Sequence, residues 1–414
     1  MATSMTMPSM MMPDVEGMPE MAGTGPAREA GGRTAVHYPA SQPFSGHRRE
    51  TSIELARRLA RLKGDAFAGT FDATAPYRDK LYLVPEQTLL IGADIATGLI
   101  RDEHDLFGGL VPHAFVATKA ITHPLVSPDA AAPEGWVPGF ADAVRGVTLE
   151  GYTAFRIADA RAAARKLIAN GPVRIKAPLG DGGHGQVVIR EEDEIDRALA
   201  AFENDDLARC GLVLEEELTD VITFSIGRFR AGDIAGAYWG IQTATPDNKC
   251  GIAYGGSALQ VVRGDFDALL GGWDDGVTHL AGRPVSAAAA RRALEYALVY
   301  DAAADTHFRG FIASRRNYDV ACGRDASGRE KIGVLEQSWR LGGASGAEIA
   351  ALEAFAGDES LATVRAVCVE HYGTESEPPV GAMVYFDGDD PQEGPLMKYA
   401  LIDTETIEAR PDAQ

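Results

Sequence analysis

Lys176 ends a short apolar run, Val173-Arg-Ile-Lys176, and four glycines follow it closely: Gly180, Gly182, Gly183 and Gly185. Glycine has no side chain and tolerates positive φ, so such a loop can lay backbone N–H groups against a phosphate. The Lys176 ammonium can reach the same phosphates. His184, inside the loop, can add a donor when protonated. A β-branched stretch, Val187-Val-Ile189, comes after the glycines, where a P-loop or a Rossmann turn would continue into a helix. The segment reads as strand, glycine loop, strand. A glycine hairpin with no ligand is the competing reading.

A second set lies further on. Asn317-Tyr-Asp-Val-Ala321 and Lys331-Ile-Gly-Val-Leu-Glu336 are strand-like, and Asp325-Ala-Ser-Gly328 between them is a turn signal. A turn centred on Ser327-Gly328 places Asp319 opposite Glu336, with Cβ atoms about 4.5–5.5 Å apart. Two facing acids repel, and a divalent cation reconciles them. Magnesium, with oxygen ligands at about 2.0–2.1 Å and phosphates completing its shell, suits such a pair. A slipped register with one acid in solvent is the alternative. Beyond Glu336, Ser345 and Glu348 have the spacing of a capping box, which predicts a helix start. Its free N–H groups then face Gly342 and Gly343 and form an anion site, with Arg340 as a fixed cation beside it. Cation, arginine and helix terminus together suit a phosphoryl group or an acyl phosphate.

The elements that position these residues are legible in outline. Residues 1–34 carry eight of the ten methionines among Pro, Gly and Ala with no period, which predicts a disordered tail. Residues 35–125 read as a small α/β domain. In it Thr51-Ser-Ile-Glu54 is a capping box opening a helix to about Lys63, stopped by Gly64, and strands cover Leu81–Pro85 and Thr88–Gly92. The stretch 126–150 is punctuated by Pro and Gly and opens a module running to 370. This module holds a strand from Tyr152, a helix from Asp159 to Ala169 and the glycine hairpin. It continues with an acidic strand, Leu212–Leu218, a meander from Val221 to Val262, and an Ala-rich helix capped by Ser286. Residues 371–414 read as a C-terminal extension of short strands.

The 414 residues, 45% hydrophobic and 24% charged, allow a large core. The net charge of −21 disfavours nucleic acid and anionic membrane as partners. Cys210, Cys250, Cys322 and Cys368 are widely spaced, with no Cys-x-x-Cys and no secretory segment before them. Free thiols in a cytoplasmic protein are the expectation. No apolar run reaches the length of a membrane span.

The order of these parts resembles the ATP-grasp superfamily over about residues 115 to 350, without a close likeness to any one member. The resemblance implies an α/β protein of ATP-grasp architecture with a preceding small α/β domain. It implies ATP and Mg2+ as cofactors. By the resemblance, Lys176 is the strand lysine on the phosphates, Gly180 to Gly185 the loop that closes over them, and Lys119 the earlier lysine. Glu215 and the Glu217–Leu218 backbone are the hinge that reads the adenine edge. Asp319 and Glu336 are the metal pair, and Arg340 is the arginine that follows. The family places Asn two residues after the second acid. Here Ser338 stands there, a poorer cation ligand, which puts a second metal site in question. The implied reaction is an ATP-dependent ligation of a small-molecule carboxylate to an amine through an acyl phosphate. A small-molecule kinase and a nucleotide-binding protein without turnover are the alternatives on the same fold.

Overall fold

The computed structural model describes residues 32–40, 44–93, 98–180, 185–202, 206–273, 276, 279–374 and 377–403. The chain begins with β1 (Arg33–Tyr38), α1 (Gly46–Lys63), β2 (Ala66–Thr70) and β3 (Lys80–Pro85), and the three strands form a parallel sheet in the order β2-β1-β3. β4 (Leu89–Leu90) and β5 (Gly109–Val111) pair beside it, and α2 (Pro138–Val144) follows. β6 (Gly151–Ala154), α3 (Ile157–Ile168), β7 (Val173–Lys176), β8 (Gln186–Ile189), α4 (Ile195–Ala200), α5 (Leu207–Cys210) and β9 (Leu212–Glu216) build a small antiparallel unit, with strand order β6-β9-β7-β8.

The rest is dominated by one eight-stranded antiparallel sheet. Its members are β10 (Thr219–Ala231), β11 (Ile234–Pro246), β12 (Ile252–Arg263), β16 (Arg315–Arg324), β17 (Glu330–Ser338), β18 (Thr363–Tyr372), β19 (Met383–Asp390) and β20 (Gly394–Asp403). Between them lie α6 (Phe266–Gly271), the two-residue strands β13 (His279–Leu280) and β14 (Arg283–Pro284), α7 (Ala287–His307), β15 (Ile312–Ala313) and α8 (Ser345–Gly357). The order across the sheet is β17-β16-β10-β11-β12-β18-β20-β19.

Alternation along the strands gives this sheet two buried faces. Phe224 and Ile226 of β10, Trp239 of β11 and Tyr318 and Val320 of β16 pack with Ala293, Leu294 and Ala297 of α7. The opposite face holds Phe229, Tyr238, Leu259 and Val364 against Leu352 and Phe355 of α8 and Leu55 and Leu59 of α1. Thr223 and Ser225 point to that second side too, but onto an open cavity.

Several expectations need adjustment. The first helix starts at Gly46, so Thr51 lies inside it and caps nothing, while Gly64 does close it in the left-handed conformation. The second expected capping box is also not formed, since Ala344 is the N-cap residue of α8 and Glu348 points into the core. β1 begins at Arg33, inside the expected tail, of which residues 1–31 lie outside the described residues. The boundary drawn at 370 cuts through β18, and β20 pairs with β18 along its length, so the expected extension is part of the main sheet. Among the described residues no helix is long and apolar enough to cross a membrane.

Candidate active site

Lys176 closes β7, and antiparallel pairing brings it beside β9. Its ammonium pairs with the Glu215 carboxylate, and both side chains are almost fully buried. His123 Nε2 meets the other Glu215 oxygen at 3.2 Å. Burial pushes the Glu215 carboxyl up, but the Lys176 charge and the His123 hydrogen bond outweigh it and hold it at about 2. Glu215 thus holds the Lys176 ammonium in place while lining the same cavity. The Glu217 carboxylate takes Arg174 Nε at 2.6 Å, and the Glu217 N–H donates to the Pro172 carbonyl at 3.0 Å. The Glu217 N–H is therefore engaged within the fold, while Glu217 and Leu218 both line that cavity.

Asp319 and Glu336 face each other in register on β16 and β17. The turn is not the one expected. Arg324 pairs with Glu330, whereas a turn centred on Ser327-Gly328 would give it Lys331. A bulge between Asp319 and Val320 in the pairing, where Val320 meets Val334, restores the offset. Its consequence is a change of face. Val334 points into the α7 core, and Glu336, two residues on, turns to the cavity with Asp319. Lys119 Nζ lies 2.6 Å from Glu336 Oε2 and donates to the Gly180 carbonyl at 2.7 Å, so it joins the carboxylate pair to the glycine segment. Lys119 opens a short 3-10 turn capped by Thr118, and only about 5% of its side chain is exposed.

Asp319 Oδ1 is buried without a hydrogen-bond partner. Burial first, and then the neighbouring Glu336 charge, push the Asp319 carboxyl up to about 7, against the Gln242 hydrogen bond and the charges of Arg315 and Lys119. An orphaned buried carboxylate oxygen facing a second carboxylate fits a divalent cation. Among the described residues no third His, Cys, Asp or Glu joins the pair, so phosphate and water oxygens would complete a magnesium shell.

After β17 the chain passes through Trp339 to Arg340 and Gly342. Arg315, 1% exposed, anchors this turn: its Nη1 donates to the Ser338 carbonyl at 3.0 Å, to Ser338 Oγ at 3.2 Å and to the Arg340 carbonyl at 2.7 Å. Its other nitrogens hold Glu348, which also accepts from Tyr238 at 2.7 Å. Asn317 stands opposite Ser338 and donates to Ser225 Oγ at 2.7 Å.

One cavity of about 900 Å³ is lined by Lys176, Glu215, Glu217, Leu218, Asp319, Glu336, Ser338 and Arg340, together with His47 and Thr51 of α1 and Lys398 of β20. Lys119 reaches this set from behind through Glu336. Gly180 and Gly185 stand at the two ends of the glycine segment, where Ala177 N–H donates to the Gly185 carbonyl at 2.9 Å. Gly182, Gly183 and His184 lie outside the described residues. Sequence reasoning missed His123, Arg315, Asn317 and Gln242. Each acts through contacts with residues distant in the sequence, and a lone residue of these types carries no local pattern.

A family described as "Protein of unknown function (DUF3182)" matches residues 36–400, most of the chain. The chain belongs to this family. No curated protein matches the chain in sequence. Among solved structures it is similar to carboxyaminoimidazole ribonucleotide synthase of Aspergillus clavatus, at 12% identity over 91% of this chain and 94% of that one, with a TM-score of 0.49. It is similar to phosphoribosylamine–glycine ligase of Thermotoga maritima, at 13% identity over 89% and 91%, with a TM-score of 0.45. D-alanyl-alanine synthetase A of Vibrio cholerae shares 12% identity over 79% and 94%, with a TM-score of 0.45. These overlaps are loose. The chain itself sets a four-stranded sheet carrying Lys176 beside a large antiparallel sheet carrying the carboxylate hairpin, with one cavity lined from both.

Proposed function

We propose that the protein is an ATP-dependent ligase that joins a small-molecule carboxylate to an amine or similar nucleophile. The observation that carries this reading is the Asp319–Glu336 pair, aimed by a bulge into the cavity that Lys176 and Arg340 also line. A hairpin gains nothing by facing two acids inward, one of them with an orphaned buried oxygen. A nucleotide carrying Mg2+ resolves both conflicts at once.

Asp319 and Glu336 would hold the cation, whose chemistry is to neutralise charge on the transferring phosphoryl group. Lys176, fixed by Glu215 and His123, would place its ammonium on the phosphate chain. Lys119 would do the same from the Glu336 side. Arg340 would stabilise the negative oxygens that develop beside Gly342. In the first step a substrate carboxylate oxygen attacks the γ-phosphorus, the bond to the β-phosphate oxygen breaks, and ADP leaves with its electrons. In the second step an amine attacks the acyl carbon, phosphate departs, and the amine proton passes to solvent. Positioning and charge stabilisation suffice for both.

The test uses carboxylate and amine pairs with ATP and Mg2+. A carboxylate labelled with 18O should deliver label to the released phosphate, because its oxygen bridges to phosphorus in the acyl phosphate. ADP formed without phosphate would mark a kinase. Bound ATP with no ADP over the whole screen would mark a protein without turnover.

A further inference from the structure

Ser338 occupies the position where the ATP-grasp likeness calls for a second cation ligand. Its surroundings suit an anion instead. A serine hydroxyl has one proton to donate and two lone pairs to accept with. Arg315 Nη1 donates into the Ser338 oxygen at 3.2 Å and is anchored there by the carbonyls of Ser338 and Arg340. A guanidinium locked so close repels a cation approaching the same oxygen, and burial strengthens that repulsion. The proton of Ser338 remains to be placed. Among the described residues no oxygen takes it.

Gly342 supplies the second observation. A methyl group there would lie 3.5 Å from Ser338 Oγ, 3.5 Å from Arg340 Nη1 and 3.6 Å from Arg315 Nη1. These are ordinary contact distances, so nothing in the packing demands glycine. One hydroxyl and two guanidinium nitrogens converge on that point, beside a cavity that Ser338, Arg340 and Gly342 all line.

We propose that Ser338 is a phosphoryl-oxygen donor and not a metal ligand, that the spot against Gly342 is the seat of that oxygen, and that the protein therefore binds ATP with a single divalent cation. Arg315 acts as a positioning residue: it turns the Ser338 hydroxyl outward and fixes the backbone on either side of Trp339. The inference rests on the ATP reading above and goes beyond it by assigning the γ-phosphate seat and the number of metal ions.

The experiment uses the full chain, Mn2+ as the probe ion, and ADP or the non-hydrolysable analogue AMP-PNP as the nucleotide. Free Mn2+, counted by its EPR signal, should show one ion per bound AMP-PNP. Ser338→Ala should weaken AMP-PNP binding about tenfold, the loss of one charge-assisted hydrogen bond, while MnADP affinity and the ion count stay as in wild type. Gly342→Ala, which the packing accommodates, should show the same split by filling the seat. Two ions per nucleotide in wild type, falling to one in Ser338→Ala, would overturn the inference and leave the ATP reading standing. Equal AMP-PNP affinity in wild type and both variants would overturn it as well. Absence of nucleotide binding in wild type would end the ATP reading and the inference together.

Discussion

Glu336 faces Asp319 because the pairing of β17 with β16 carries a bulge next to them. Strand periodicity alone would send Glu336 into the α7 core beside Val334. The bulge turns it toward the cavity and leaves Asp319 Oδ1 without a partner. Asp319→Asn should therefore raise the stability of the ligand-free protein, by about 1 kcal/mol, since it removes a buried acid that Glu336 repels. The same change should reduce the magnesium-dependent shift in melting temperature given by AMP-PNP. Glu336→Gln should behave differently, because Glu336 is the ion-pair partner of the buried Lys119. Thermal melts of the two variants, with and without magnesium and nucleotide, check the contrast. A stabilised Glu336→Gln protein would show that the Lys119 pair contributes nothing.

Lys176 sits in a buried pair, so its removal acts on the fold as well as on any ligand. Lys176→Met should cost about 3–5 kcal/mol, because Glu215 is left buried with only His123 for company. Adding Glu215→Gln should return most of that stability without returning nucleotide affinity. Urea denaturation and calorimetry on the single and double variants separate the two roles. Restored affinity in the double variant would remove Lys176 from the phosphate site.

The depressed Glu215 carboxyl gives a pH dependence of definite sign. Its folded value is about 2, against an ordinary value of 4.5. The unfolded chain therefore binds a proton at higher pH than the folded one does. The stabilisation is complete above about 4.5 and is lost as the pH falls through about 2. Urea midpoints of wild type and Glu215→Gln should differ most near neutrality and converge on acidification. A gap that stays constant down to the acid limit would mean that the Glu215 charge is not the source.

Much of this site could be read from residue types and spacing, with limits that have physical causes. Lys176, Asp319, Glu336 and Arg340 were legible because each belongs to a local pattern: a glycine loop, an acid-bearing hairpin, a turn into a helix. The Asp319–Glu336 register came out right although the turn did not. The expected turn was one residue too long, and the extra residue of β17 at the bulge supplied the difference. Bulges leave no reliable mark in a single sequence. Glu348 fitted the spacing of a capping box, yet burial beside Arg315 and Tyr238 decides its role. Local propensity lost there to tertiary pairing. The last two strands read as an extension because strand order across a sheet is a long-range property, and β20 finds β18 about thirty residues upstream.

The glycines after Arg340 should separate into two kinds. A methyl group at Gly343 would meet the Tyr254 ring at 2.6 Å, and one at Gly346 would meet the Tyr385 ring at 2.7 Å. The Tyr385 ring is buried, and the half-buried Tyr254 ring has its hydroxyl tied to Ser257 Oγ at 2.7 Å, so neither can retreat easily. Gly343→Ala and Gly346→Ala should each destabilise the protein by about 1–3 kcal/mol, the cost of overpacking. Gly342→Ala meets only ordinary contacts and should stay within about 0.5 kcal/mol of wild type. Chemical denaturation of the three single variants checks the order. If Gly342→Ala proved as costly as its neighbours, that glycine would be explained by packing, and its place beside Ser338 and Arg340 would need no ligand.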